Sequence, residues 1–114
     1  MDITKSQMDT CQKYGAQYAP LDPALILGIS DNFFSGEVPL NGLRHPPEGS
    51  TCGWYLWAGE ELSDADDFFK PMHAAHLIER CPEIVRFLGL PAGWRFLVAD
   101  AYEDVWFDSE LLEI

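Results

Sequence analysis

Two histidines are the first residues in this sequence whose type and spacing could support chemistry. His73 and His76 stand three positions apart, so they share one face if their segment is a helix, and Glu79 extends that face. Two imidazoles can hold a metal ion when a carboxylate or a thiolate joins them. Because no third ligand stands at a diagnostic spacing, we predict no metal and no cofactor, and keep His73 and His76 as weak metal candidates. A capping or hydrogen-bonding role is the more common alternative.

Catalytic motifs are missing from the sequence. It contains no glycine-rich phosphate loop, no Walker lysine, no HExxH and no G-x-S-x-G. A hydrolase that uses His73, His76 and an acid from residues 60–67 is the weakest alternative, since no nucleophile stands beside a base. We therefore predict that the protein is not an enzyme.

Carboxylates are concentrated in two segments of the chain. Residues 60–67 hold five acids and no base, and a second group lies in the C-terminal part. A solvated face that keeps the protein soluble is one interpretation, and a surface that docks a basic protein is the other. The acids that we predict to bind a partner are Glu60, Glu61, Asp64, Asp66, Asp67, Glu103 and Asp104.

Tryptophans could supply the apolar anchor of such a surface. Trp54 and Trp57 lie in a predicted strand at a spacing that points them to opposite faces, so both cannot easily enter one core. Because tryptophan often anchors protein interfaces, we name Trp54 and Trp57 as partner-binding candidates and expect an exposed indole beside the acids. The main alternative is a small ligand-binding or regulatory domain, with a pocket lined by Trp57 or Trp94 beneath residues 31–50.

The charge balance limits the kinds of partner. Seven Lys+Arg against 19 Asp+Glu give the 114-residue chain a net charge of −12. This charge disfavours nucleic acid and anionic membrane surfaces, because both begin binding through their phosphates. A protein partner with a basic surface remains, and the oligomeric state is left open.

Compartment and processing follow from other features. The N-terminal residues lack the basic and apolar regions of a signal peptide, and no apolar stretch is long enough to span a bilayer. Cys11, Cys52 and Cys81 are widely spaced and odd in number, which favours reduced thiols in the cytoplasm.

The elements that position these residues follow from periodicity and from turn residues. We predict helices over residues 4–18, 68–80 and 82–88, with Gly89 capping the last. Strands are predicted over residues 23–30, 53–58, 94–99 and 102–107, and residues 109–112 are a tail or short edge element. Residues 31–50 are rich in proline and glycine and predict an irregular segment with at most one short extended piece. The pattern indicates an α+β fold in a single domain, with a mainly antiparallel sheet packed with two or three helices.

Several strings resemble one bacterial family, the immunity protein 33-like domain. The strings are Cys52–Glu61 (CGWYLWAGEE), Asp67–His73 (DFFKPMH), Cys81–Glu83 (CPE), Leu88–Pro91 (LGLP), Gly93–Phe96 (GWRF) and Tyr102–Trp106 (YEDVW). The resemblance covers residues 23–112. It divides the chain into an N-terminal helical segment, 1–20, and an immunity protein 33-like α+β domain, 21–114.

This resemblance implies a function and no catalytic residue. The resemblance implies a small cytoplasmic protein of a polymorphic toxin system that protects the cell by binding a cognate or sibling toxin. The resemblance places Trp54, Trp57, Glu60, Glu61 and Asp67 in a shared motif, whose members can be structural or functional.

Overall fold

The helices and strands of the chain follow no regular alternation. The structure is a computed structural model that describes residues 3–63, 65 and 67–113. Two α-helices, α1 and α2, cover Ile3–Tyr14 and Ala74–Arg80, and 3₁₀ helices cover Pro82–Phe87 and Ser109–Leu112. The strands are β1 (Ile26–Ser30), β2 (Leu40–Arg44), β3 (Thr51–Ala58), β4 (Phe69–His73), β5 (Trp94–Ala99) and β6 (Tyr102–Phe107).

The six strands form one sheet in the order β4-β1-β3-β2-β5-β6. The β1–β3 pair is parallel, and the other four neighbouring pairs are antiparallel. The predicted α+β fold with a mainly antiparallel sheet is therefore confirmed.

Alternation along β3 divides the apolar residues between the two faces of the sheet. Trp54 and Leu56 point toward α1, α2 and the Pro82–Phe87 helix, where they join the main core. Trp57 points to the other face, which we call the open face, and packs there in a smaller cluster with Leu43 and Leu111. The prediction that the two indoles face opposite sides is confirmed.

The first helix packs on the main core through a partly polar face. It ends at Tyr14, before the predicted end at residue 18, because Gly15 takes a positive φ of 74° that leaves the helical region. Cys11 enters the main core, and the buried Gln7 donates its Nε2 hydrogen to the Val85 carbonyl at 3.0 Å. Whether the chain divides at residue 20 stays a prediction.

Gly89 has a different role from the predicted helix cap. The second predicted helix is a 3₁₀ helix that ends at Phe87, with Leu88 as its cap residue. A Cβ at Gly89 would lie 2.8 Å from the Cβ of Gln7 and 2.8 Å from the Tyr18 ring. Glycine is needed there because α1 and its following segment approach the backbone closely.

The prediction of one helix over residues 68–80 is wrong in its first half. Residues Phe69–His73 form β4, an edge strand antiparallel to β1, and α2 begins at Ala74. The Ala74 amide donates to the Leu25 carbonyl at 2.9 Å. Because every second amide of an antiparallel strand faces its partner, the nitrogen of Pro71, three residues before Ala74, points away from β1. Proline fits this edge because the ladder loses no hydrogen bond.

The proline- and glycine-rich segment 31–50 contains a central strand. β2 lies between β3 and β5, so the single extended piece predicted there is confirmed, but its position in the middle of the sheet was not foreseen. A Cβ at Gly42 would overlap the Phe96 ring and lie 2.9 Å from Leu56. This glycine therefore allows close packing in the core and does not end the strand.

Other predictions concern the ends of the chain and the cysteines. The β5 and β6 strands are confirmed, and the C-terminal residues form a 3₁₀ helix. Cys11, Cys52 and Cys81 are free, as their spacing predicts, and the structure buries all three. No helix in the described ranges combines the length and the apolar character needed to cross a bilayer.

Candidate functional site

Three acidic connections meet at one end of the sheet. The strands β1, β3 and β5 finish at this end, where β2, β4 and β6 begin. The connections are residues 31–39, 59–68 and 100–101, and their sequences contain no lysine and no arginine. Their described acids, all exposed, are Asp31, Glu37, Glu60, Glu61, Asp67 and Asp100, which we call the acidic end.

A cleft opens within the acidic end, where β3 finishes. It has a volume of about 280 Å³. Its walls are Asn32, Glu37, Ala58, Gly59, Glu60, Glu61, Ser63 and Phe68. Three of these residues carry carboxylates and none is cationic. The field in the cleft therefore favours a positively charged group, such as the side chain of a lysine or arginine.

Asn32 holds one wall of the cleft in place. Its Nδ2 group donates to the Ala58 carbonyl at 3.0 Å and to Glu37 Oε2 at 3.4 Å. Gly59 has a φ of 88°, and a Cβ there would overlap the Glu37 carboxylate. Glycine at position 59 thus lets β3 end in a left-handed conformation and lets Glu37 close over it.

Asn41 fixes the same connections from beneath. It is 7% exposed, and its Nδ2 group donates to the carbonyls of Gly59 at 2.8 Å, Pro39 at 3.3 Å and Trp57 at 3.3 Å. This buried amide joins the start of β2 to the end of β3. We did not predict this role, although a lone asparagine beside apolar residues is the kind of position where a structural hydrogen bond is expected.

The two acids of β6 have different surroundings. Asp104 lies on the open face and is exposed. Glu103 lies on the helix-covered face, where it accepts hydrogen bonds from Arg86 Nη2 at 2.9 Å, Lys13 Nζ at 3.3 Å and the Tyr14 hydroxyl. These donors, with the Arg86 hydrogen bond first, lower the pKa of Glu103 to about 2. Glu103 therefore already has three internal partners, whereas Asp104 faces solvent.

Neither candidate indole reaches the surface. Trp54 is 0% exposed and donates its Nε1 hydrogen to the Leu88 carbonyl at 3.0 Å, and Trp57 is 4% exposed. The exposed indole expected beside the acids is therefore not Trp54 or Trp57. Trp106, which is half-buried on the open face of β6, has the Arg95 guanidinium 5.4 Å from its ring centroid.

The histidine pair lies away from the acidic end. His73 closes β4 at the opposite end of the sheet, and the His73 and His76 ring centroids are 6.1 Å apart. Four residue steps of β4, about 13 Å, separate His73 from the start of that strand. Among residues 3–63, 65 and 67–113, no three His, Cys, Asp or Glu side chains are grouped to hold a metal ion. The described residues therefore do not bring His73 and His76 together with the described acids of residues 60–67, as the weak hydrolase alternative requires.

Other clefts bear on the ligand-binding alternative. A groove of about 710 Å³ runs along α1, with walls from Thr4 to Tyr18. Clefts of about 250 and 270 Å³ flank Val38 and Leu40. The described walls of these clefts, like those of the acidic cleft, contain no tryptophan, so the predicted pocket lined by Trp57 or Trp94 is not among them.

Sequence reasoning found part of the acidic end and missed the rest. It named Glu60, Glu61 and Asp67, whereas Asp64 and Asp66 lie outside the described residues. It missed Asp31 and Glu37, because each is isolated in the sequence, and it counted Asp100 in the C-terminal acidic group without naming it as a partner-binding residue. A usable signal was present, since Asp31 and Asp100 directly follow predicted strands whose ends the topology brings together.

The comparisons with known proteins identify a family. The family model described as Imm33-like domain matches residues 6–108, which is nearly the whole chain. The match includes most of α1. No curated protein and no solved structure matches the chain.

Proposed function

We propose, because this chain belongs to the immunity-protein-like Imm33-like domain family, that it neutralises a cognate bacterial toxin by binding it directly. The binding takes place in the cytoplasm, forms no covalent bond and needs no cofactor. One observation supports a docking role most strongly: all three connections at one end of the sheet carry acids and no base.

The acidic end supports a basic partner surface. Six described carboxylates project from neighbouring connections, where no cation in the same connections neutralises them. Nearby cations are Arg80, whose guanidinium lies 3.8 Å from the Phe34 ring centroid, and Lys70 near the start of β4, so the carboxylates outnumber them. A patch with this excess of negative charge attracts an oppositely charged protein before contact and increases the rate of association. The toxin surface that binds it is rich in lysine and arginine.

The cleft supports a more specific contact. Glu37, Glu60 and Glu61 surround a space of about 280 Å³, which is large enough for one lysine or arginine side chain. An arginine is favoured, because its planar guanidinium can donate hydrogen bonds to two carboxylates at once. The partner-binding residues that we propose are Glu60, Glu61, Asp64, Asp66, Asp67 and Asp104, and we add Glu37 because it lines the same cleft.

The proposal is tested with the protein encoded by the adjacent reading frame, co-expressed with this chain. We expect the chain to restore growth when that protein is toxic, and the purified pair to associate more slowly as salt is added. A toxic neighbour that the chain neither binds nor neutralises would contradict the proposal.

Matched variants test the location of the surface. We expect Glu60→Gln/Glu61→Gln to slow association about tenfold, because two carboxylates at the centre of the patch are lost. The control Glu48→Gln/Glu110→Gln removes the same charge at the opposite end of the sheet and should change the rate less than twofold. Equal effects of the two double variants would show that only net charge matters.

A further inference from the structure

We propose that the outer edge of β6 pairs with an extended, basic strand of the toxin, which would continue the sheet across the interface. This inference rests on the proposed function, since it names how the same partner is held. It is carried by an independent feature, a strand edge that no described strand pairs with and that begins at the acidic end.

Within the described residues, the backbone groups on the outer edge of β6 have no strand partner and recur at regular intervals. The strand is the last in the sheet and pairs with β5 over six consecutive residues without a bulge. The Asp108 amide donates to the Gly93 carbonyl at 2.7 Å, which fixes the alternation of the ladder. The amides of Tyr102, Asp104 and Trp106 therefore face β5, and those of Glu103, Val105 and Phe107 face outward.

The opposite edge of the sheet is less suitable. In β4, the outward-facing nitrogen at the middle of the strand belongs to Pro71 and has no hydrogen to donate. Lys70 beside it is exposed and would repel a basic strand. Proline and lysine are typical devices that block pairing at sheet edges. The comparison leaves β6 as the edge that can accept a basic strand.

The side chains of β6 indicate the chemistry of the occupant. Tyr102 is 59% exposed and Phe107 is 49% exposed, so apolar surface is available at both ends of the strand. Asp104 lies between them on the open face, and Asp100 precedes the strand in the acidic end. Tyr102 shares the open face with Asp104, whereas Phe107 lies on the helix-covered face. A strand that alternates basic and apolar residues would therefore place its cations beside Asp104 and its apolar groups beside Phe107.

A second copy of this chain is a poorer occupant. Antiparallel pairing of β6 with itself would bring Asp100 and Asp104 of each copy toward the acids of the other, including Asp108 and Glu110. Like charges in facing strands are destabilising, and each copy carries a net charge of −12. The charge complementarity therefore favours a basic partner.

The first experiment needs no toxin. The probe is the peptide Lys-Val-Lys-Val-Lys-Val with both ends blocked, which is added to the full chain. The exchange rate of each backbone amide hydrogen of the chain is then measured by NMR. At about nine times its Kd, bound peptide should slow exchange about tenfold at Glu103, Val105 and Phe107. The amides that face β5 should change little. The Glu-Val analogue and the Lys-Val peptide methylated on every backbone nitrogen should have no effect.

The second experiment separates the backbone from the side chain. Phe107→Pro and Phe107→Ala both remove the ring, but only the proline also removes an outward-facing amide hydrogen. We expect the proline variant to bind the toxin that the parent chain neutralises at least tenfold more weakly than the alanine variant does. In both variants the amides that face β5 should stay protected from exchange, which shows that β6 is still folded.

The outcomes distinguish this inference from the proposed function. Equal toxin binding by the two Phe107 variants, or no peptide protection at the outward amides, would overturn edge pairing and leave immunity intact. Protection by the peptide without neutralisation of any adjacent toxin would support edge pairing and contradict the proposed function. Protection of the same amides in the isolated chain, with a doubled solution mass, would assign the edge to a second copy.

Discussion

Single residues show most clearly how charge is divided between structure and surface. Glu103 and Asp104 are adjacent in the sequence and were both expected to bind a partner. Strand alternation sends Glu103 to the side of α1 and the Pro82–Phe87 helix, where it joins Arg86, Lys13 and Tyr14, and sends Asp104 to the open face. The first carboxylate therefore connects elements of the fold, and the second remains available at the surface.

The Glu103 network gives a prediction for acid stability. The folded pKa of about 2 lies below the ordinary value of 4.5, so the ionised carboxylate stabilises the fold above about pH 4.5. This stabilisation is lost as the pH falls from 4.5 toward 2. We expect Glu103→Gln to lower the free energy of unfolding by about 1–2 kcal/mol at pH 7 and by much less at pH 2, measured by urea denaturation.

Asp9 provides the matched control for Glu103. It pairs with Lys5 at 2.8 Å, but its side chain is 61% exposed. Because exposed ion pairs contribute little, Asp9→Asn should change stability by less than about 0.5 kcal/mol. A Glu103→Gln variant whose stability follows the same pH curve as the parent would contradict the network.

The site could be predicted at residue scale only where sequence neighbours act together. Glu60, Glu61 and Asp67 were found because they are clustered in the chain. The opposite faces of Trp54 and Trp57 were also found, because strand alternation is a local property. Their burial was not, since the cover over Trp57 comes from Leu43 and Leu111, which are distant in the sequence.

At the scale of elements, β3 depends on a glycine within its irregular start. Along the parallel ladder Ile26 pairs with Thr51 and Gly28 with Tyr55, so β3 contains extra residues at this point. Gly53 lies there with a φ of 92°, and its carbonyl accepts the His45 amide at 2.9 Å. A Cβ at Gly53 would overlap the His45 carbonyl oxygen. Glycine thus sets the direction in which β3 enters the sheet.

Paired alanine substitutions test this role. Gly53→Ala adds backbone strain and a clash with a backbone oxygen that cannot move away, so we expect a loss of at least about 3 kcal/mol. Gly36 has a similar φ of 90° but no atom within 4 Å of an added Cβ. Gly36→Ala should therefore cost only about 1 kcal/mol by thermal or urea unfolding. Equal losses would show that the clash at Gly53 is relieved.

The helices and strands that could be predicted are those whose local sequence pattern is enough to specify them. β5 and β6 have strand-forming residues and a short turn between them, so local pattern was sufficient. The segment 68–80 has apolar residues at helical spacing, but Pro71 belongs to an edge strand whose partner, β1, lies about 40 residues earlier. Local periodicity contains no information about that pairing.

At the scale of the whole molecule, topology converts scattered acids into one surface. The connections 31–39, 59–68 and 100–101 are far apart in the sequence and meet because alternate strands end on the same side. Only the second connection could be recognised as acidic from clustering. The strand order, which the sequence did not reveal, decides whether the others join it.

This arrangement predicts a conflict between stability and binding. Carboxylates held at one end of the sheet repel each other in the folded state, and this repulsion is smaller in the expanded unfolded chain. We expect Glu60→Gln/Glu61→Gln to raise the free energy of unfolding by about 0.5 kcal/mol at low salt, while the same variant associates more slowly with the proposed toxin partner. Added salt should stabilise the parent more than the variant, because screening relieves the same repulsion.

The control Glu48→Gln/Glu110→Gln removes equal charge outside the acidic end and should gain less stability. An acidic-end variant that is less stable than the parent would mean that Glu60 and Glu61 hold the cleft together, and that their negative charge is not maintained for a partner.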